Sequence, residues 1–204
     1  MIAIIKYNAG NVQSVQYALQ RLGVTSIVTD DETEIRKAEK VIFPGVGHAT
    51  SAMQYLKERA LDKLICSLKQ PVLGICLGLQ LMCRHSEEGD TECLGIFDEA
   101  VKLFPSPAPS GLQEAGKGFK IPQIGWNNIY NYKSVLFNGL PENAFVYTVH
   151  SYFAGLGNET IATTDYIIPY SAALEKDNFY AVQFHPEKSG TAGELIIKNF
   201  INIP

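Results

Sequence analysis

The sequence predicts an α/β fold: a mostly parallel, doubly wound sheet with flanking helices, and added β structure in its C-terminal half. Two observations carry this. Short apolar runs alternate with helically spaced apolar residues through the first half, the pattern of parallel strands joined by crossover helices. After about Leu94 the rhythm turns to strand-like pieces with few helical periods. Residues 2–7 open as a strand, and Val12, Val15, Ala18, Leu19 and Leu22 then line one face of a helix ending at Gly23. Residues 24–29 and 41–43 read as extended, and a helical period runs through 49–68, carrying Met53, Leu56, Ala60 and Leu64. Residues 72–75 form a buried strand that passes almost without a loop into a helix over 77–84. Strands follow at 100–104, 145–149, 160–164 and 179–184, adding β structure at one edge, and Ala192, Leu195, Ile196 and Phe200 give the closing helix. The Pro-rich stretch 106–111 is a surface loop, since neither half looks able to close its own core.

The chain's 204 residues suit one domain, 1–204, with a full core. Hydrophobic residues at 46% and charged residues at 19% give a globular balance. A formal charge of -4 argues against nucleic acid as a partner, because a phosphate backbone recruits a basic field. The first residues are too short an apolar run for a leader or a membrane span, so no membrane association and a cytoplasmic location are expected. Cys66, Cys76, Cys83 and Cys93 form no C-x-x-C pair and read as free thiols. His48, His85, His150 and His185 are scattered singly, so neither a metal nor another cofactor is expected.

Gly74-Ile75-Cys76-Leu77-Gly78 lies where a buried strand meets a helix and has the G-x-Nuc-x-G spacing of a nucleophile elbow. The turn is tight, and side chains two residues either side of the nucleophile would strike neighbouring backbone. Helix N-terminal N–H groups favour the attacking thiolate form of a cysteine so placed. Without its glycines and junction, Cys76 would read as a buried structural thiol; Cys66, Cys83 and Cys93 lack such surroundings and read as packing or ordinary surface residues.

A thiolate nucleophile needs a group that protonates the leaving amine and later activates water, and imidazole does both near neutral pH. His185 is preferred, because Gln183-Phe184-His185-Pro186-Glu187 ends a strand and sets a carboxylate two residues on, on the same side of an extended segment. Glu187 then holds one ring nitrogen while the other faces Cys76. His150 also follows a strand and is the alternative base, although it has no neighbouring carboxylate. His48 and His85 read as helix-end or surface residues.

An acyl-transfer oxyanion has one donor in the N–H of Leu77, and Pro44-Gly45-Val46-Gly47 after the third strand can turn a second toward it. Gly45-x-Gly47 is not a dinucleotide fingerprint, since the third small position is Thr50 and the segment does not open the first βαβ unit.

With these pieces placed, the chain resembles the triad-type (class I) glutamine amidotransferases, and within them the branch of glutaminase subunits of imidazole glycerol phosphate synthases. The likeness runs nearly end to end, through Tyr7-Asn8-Ala9-Gly10-Asn11, Pro44-Gly45-Val46-Gly47, Gly74 to Met82 and Ser86-Glu87-Glu88. It continues in Gly125-Trp126-Asn127, His150-Ser151-Tyr152 and Gln183 to Gly190. The resemblance implies a Cys76, His185, Glu187 triad, with the second oxyanion donor on the backbone of Val46. It places glutamine near Gly47, Gln80, Ser151 and Tyr152, and a partner interface at Asn8, Asn11, Gln123 and Trp126. It also implies a heterodimer with a (β/α)8-barrel cyclase, which uses the ammonia to make imidazole glycerol phosphate and an aminoimidazole carboxamide ribotide in histidine biosynthesis. Many relatives carry Asp at Lys6 and His at Gln123, departures that bear on docking rather than on the triad. A class I glutaminase serving another synthase, a non-catalytic subunit of the same fold and a free-standing cysteine hydrolase are the alternatives.

Overall fold

A computed structural model describes residues 1–7, 11–105 and 119–204; Asn8 and the loop expected at 106–111 lie outside the described residues. The chain runs through β1 (Ile2–Ile5), α1 (Val12–Arg21), β2 (Ser26–Thr29), α2 (Glu32–Lys37), β3 (Lys40–Gly45), α3 (Ala49–Glu58), α4 (Leu61–Ser67), β4 (Val72–Cys76) and α5 (Leu77–Met82). The strands β5 (His85–Ser86), β6 (Thr91–Glu92), β7 (Ala100–Leu103), β8 (Gln123–Asn128), β9 (Phe145–His150), β10 (Tyr152–Ala154), β11 (Thr160–Tyr166), β12 (Ile168–Lys176) and β13 (Phe179–Val182) follow, and α6 (Gly190–Ile201) ends the order.

A seven-stranded sheet, in the order β11-β12-β13-β4-β3-β1-β2, forms the centre. β13, β4, β3, β1 and β2 pair in parallel, whereas β12 and β11 run antiparallel along one edge. Every residue of β1, β3, β4 and β13 is buried, as strands covered on both faces require. The two-residue period sorts them: Ile2 and Ile4 enter one apolar cluster with Leu19 and Phe200, while Ala3 and Ile5 enter the other with Leu56 and Ile65.

Helical period breaks inside 49–68, which the sequence presents as one stretch. α3 stops at Glu58 and α4 starts at Leu61, with Ala60 between them in the left-handed region at φ 55°. Both pieces bury the same kind of face, Met53 and Leu56 on one and Leu64 and Ile65 on the other, so spacing alone conceals the break. The added β structure is also more than an edge. β10-β7-β5-β6 form a second sheet and β8-β9 an antiparallel ribbon, apart from the central one.

The parallel register builds the functional end of the sheet. Gly45 of β3 pairs with Cys76 of β4, and Ile75 pairs on its other side with Val182 of β13. The strand ends that carry the expected oxyanion loop, the elbow cysteine and the His185 segment are therefore neighbours, at the carboxyl ends where open α/β sheets bind ligands. The elbow packs so closely that a Cβ on Gly78 would lie 2.0 Å from the Phe43 carbonyl oxygen, and one on Gly74 2.8 Å from Met82 Sδ. Gly-to-Ala normally stabilises a helix by about 1 kcal/mol. At Gly78 the sign reverses: Gly78→Ala lowers stability by about 3 kcal/mol in urea unfolding, because backbone must move to admit the methyl group.

Candidate active site

Cys76 sits at φ 52°, ψ −106°, between the last residue pair of β4 and the first turn of α5. A non-glycine residue at positive φ is strained, and the close glycine contacts on either side fix it there. The side chain is buried, and its sulfur lies 3.8 Å from the Val149 carbonyl and 3.6 Å from Gln183 Nε2, with the His185 ring as a further polar neighbour.

His185 is buried, with its backbone N–H on the Tyr147 carbonyl at 2.9 Å and its own carbonyl taking the Ser189 hydroxyl at 2.7 Å. Its Nδ1 lies 2.9 Å from Glu187 Oε1. The i, i+2 contact arises differently from the extended geometry expected of it, because Pro186–Lys188 is a turn of 3-10 helix that brings the carboxylate back under the ring. Burial by itself lowers the basicity of His185. The bonds and charges of Cys76 and Glu187 outweigh burial and lift its pKa to about 10, so the ring carries its proton at neutral pH.

One cavity of about 320 Å³ brings together Cys76, His185, both expected oxyanion residues Val46 and Leu77, and the four expected substrate residues Gly47, Gln80, Ser151 and Tyr152. Gly47, at φ 131° and with nothing within 4 Å of a notional Cβ, sits at the open mouth of the oxyanion loop. Tyr7 holds the start of that loop, its hydroxyl donating to the Pro44 carbonyl at 2.6 Å, and Glu88 Oε2 holds its end by accepting from the Ala49 N–H at 2.7 Å. Glu88 and Lys188 also line the cavity. A larger hollow of about 680 Å³, lined by Asp98, Glu99, Glu159 and Lys176, contains no nucleophile.

His150, the alternative base, is occupied at both nitrogens, with Nδ1 2.8 Å from the Tyr152 carbonyl and Nε2 3.1 Å from the Tyr170 hydroxyl. Burial lowers its pKa to about 4. His48 caps α3, and His85 meets Asp90 at the surface.

The expected interface residues divide. Trp126 is 57% exposed and Ile124 63%, on one face of β8; Phe145 of β9, opposite Asn128, is 60% exposed. Trp126 packs edge-on against Tyr147 with ring centroids 5.9 Å apart. Gln123, by contrast, is 3% exposed and points inward, its Oε1 2.9 Å from the Tyr170 hydroxyl, because alternation along β8 turns it away from the Trp126 face. Its side chain is therefore not part of that face. Asn11 also turns inward, donating its side-chain amide to Glu187 Oε1. Sequence reasoning missed Asn11 as a partner of Glu187, Glu88 as a holder of the oxyanion loop, and Gln183 beside the sulfur. For Gln183 the signal was its place two residues before His185, just past the end of β13, the strand next to β4.

All four cysteines are unpaired. Among the described residues no cluster could hold a metal ion, and no helix is long and apolar enough to cross a membrane.

The depressed His150 pKa gives a sign for acid stability. The unfolded imidazole takes a proton near its ordinary 6.5, whereas the buried ring resists until about 4. This contribution is intact above pH 6.5 and is lost as pH falls toward 4, by roughly 3 kcal/mol. Urea midpoints measured from pH 7 to pH 4 fall more steeply for the parent chain than for His150→Gln.

The model of the glutamine amidotransferase class-I family matches residues 3–203. Imidazole glycerol phosphate synthase subunit HisH of Bacteroides fragilis (strain YCH46) is 58% identical over 202 residues, covering 99% of each chain. HisH of Bacteroides thetaiotaomicron is 54% identical over 202 residues, with 99% of each chain covered, and that of Haemophilus influenzae (strain Rd) 42% over 201 residues, covering 98% of this chain and 96% of that one. The fold matches a solved glutamine amidotransferase with TM-score 0.71 at 15% identity, covering 98% of this chain and 97% of that one. It also matches PurLQS of Thermotoga maritima with TM-score 0.67 at 15% identity, again over 98% and 97%. The chain thus belongs to the class I glutamine amidotransferase family, and within it to the HisH subunits of imidazole glycerol phosphate synthase.

Proposed function

We propose that residues 1–204 act as one cytoplasmic glutaminase domain that releases ammonia from glutamine for a separate cyclase, using Cys76, His185 and Glu187. The observation that carries this reading is the shared cavity: Cys76, His185 and the two residues expected to supply oxyanion donors, Val46 and Leu77, line one space in a chain of HisH ancestry.

Glutamine enters with its carboxamide toward Cys76. Glu88 and Lys188 put one charge of each sign at the cavity, the complement of an amino acid's ammonium and carboxylate. The Cys76 thiolate attacks the carboxamide carbon, and the N–H groups of Leu77 and Val46 receive the oxyanion. As the C–N bond breaks, His185 gives its proton to the departing nitrogen, which leaves as ammonia and a thioester remains. His185, now neutral, takes a proton from water as water attacks the thioester, and glutamate and the free sulfur result. Glu187 orients the ring and balances its charge, and Asn11 orients Glu187 in turn.

The exposed Ile124, Trp126 and Phe145 form a contiguous apolar face of the kind that marks a protein interface. The partner in this reading is a (β/α)8 cyclase, which uses the ammonia to make imidazole glycerol phosphate and an aminoimidazole carboxamide ribotide in histidine biosynthesis. The same ribbon reaches the nucleophile, because Val149 of β9 presents its carbonyl to the Cys76 sulfur.

Glutamate release by the purified chain, alone and with the cyclase and its ribonucleotide substrate, tests this. The expected result is weak activity alone, with strong stimulation by the loaded partner. One missing oxyanion donor costs about 10²- to 10³-fold in rate, enough to keep a free subunit nearly silent. Cys76→Ala removes the activity and leaves the fold intact. Turnover in that variant, or full activity without a partner, contradicts the reading.

A further inference from the structure

We propose that Gln183 is a second functional amide at the nucleophile, donating its side-chain N–H to the Cys76 sulfur and holding it as the thiolate. The inference rests on Cys76 being the nucleophile and adds a residue with no role in the triad, the oxyanion hole or the glutamine pocket.

The direction of the amide follows from its neighbours. The terminal group of Gln80 lies 2.9 Å from the Tyr152 carbonyl oxygen, which only accepts, so that end of Gln80 is its NH₂. The same nitrogen is 3.2 Å from the terminal group of Gln183, which must therefore present its oxygen there. Only one arrangement then remains for the other end of Gln183: its NH₂ faces Cys76 Sγ, at 3.6 Å. The polarity of a backbone carbonyl is thus relayed through two buried amides and ends as a donor on sulfur. Gln183 is 1% exposed and Gln80 4%, so both amides are largely removed from bulk solvent.

The Val149 carbonyl and the Gln183 amide favour different states of the sulfur. The Val149 carbonyl accepts from a thiol S–H and repels a thiolate, whereas the Gln183 amide favours the thiolate. The titratable groups around them are His185 and His150, Tyr7 below the oxyanion loop, Tyr170 on β12, and Glu88 and Lys188 in the cavity. Burial raises both tyrosines well above the neutral range and lowers His150 to about 4, so none of these three carries a charge near pH 7. With Lys188 and Glu88 opposite in sign, His185 is the one cation at the sulfur, and Gln183 is the neutral donor that shares the thiolate with it.

The test is site-resolved alkylation of Cys76 by iodoacetamide, read by mass spectrometry from pH 5 to pH 10, in the parent chain and in Gln183→Met, which keeps length and removes the amide. The proposal expects the alkylation profile of the variant to move to higher pH, with the rate at pH 7 down about tenfold or more. In the partner complex kcat falls by a similar factor, while KM for glutamine stays within about twofold. An unchanged alkylation profile with a raised KM makes Gln183 a mere prop for Gln80 and overturns the proposal. Because alkylation needs no turnover, it separates this claim from the glutaminase reading, which fails instead if Cys76→Ala still releases glutamate. Should Gln183→Met not fold, the side-chain ¹⁵N–¹H resonances of Gln183 in the unaltered chain decide. They shift with pH in step with Cys76 alkylation and lose that dependence in Cys76→Ser, or, if they do neither, the proposal is wrong.

Discussion

Cys76 is held in a backbone conformation that side chains avoid, and the contacts that hold it pass through the neighbouring strand. Gly78 lies against the Phe43 carbonyl, Gly45 lies under Leu77 and the Tyr7 hydroxyl, and Gly45 is the register partner of Cys76 itself. A methyl group on any of these glycines meets an atom that is already there. The turn therefore depends on β3 and β4 being correctly paired, and through β4 on β13, which carries Gln183 and His185 to the same end of the sheet. Central packing and active-site geometry are here one constraint, since a slip of either strand would separate sulfur from imidazole and flip the buried faces together.

Around that turn the site is a set of polar groups that fix one another. Glu187 accepts from Asn11 and lies on His185, His185 takes its backbone bond from β9, and Gln183 is oriented by Gln80 and the Tyr152 carbonyl. β9 joins this inner set to the surface. Its Tyr147 and Val149 carbonyls hold His185 and face the sulfur, while Phe145 and Tyr147 stand beside Trp126 on the outer face of the ribbon. Whatever packs on Trp126 bears on a strand only one hydrogen bond from the Cys76 sulfur.

Most of this was legible in the sequence where a local rule applied. The elbow, the helix periods of α1 and α6 and the buried runs of β1, β3 and β4 each follow from spacing within a few residues. Short polar segments gave less. α2 buries only Ile35 and shows no periodic stripe, β5 and β6 have two residues each, and β12 mixes Pro169, Tyr170 and Ser171 with small residues that suit a strand only when paired with β11 and β13. The break at Ala60 was hidden because both flanking helices keep their apolar spacing. In the site, Cys76 and His185 were readable from their motifs, whereas Asn11, Glu88 and Gln183 owe their places to contacts across 176, 39 and 107 residues of sequence. Gln123 lies on the face of β8 opposite Trp126, as strand alternation requires, and its buried partner Tyr170 is 47 residues away in sequence.

The account turns on a covalent bond between Cys76 and the substrate. Rapid acid quenching of the partner-activated enzyme during turnover of isotopically labelled glutamine, followed by peptide mass spectrometry, looks for that bond directly. A labelled glutamyl thioester on the peptide that contains Cys76, and on none that contains Cys66, Cys83 or Cys93, is the predicted result. Steady glutamate release with no adduct on Cys76, or an adduct on another cysteine, would contradict it.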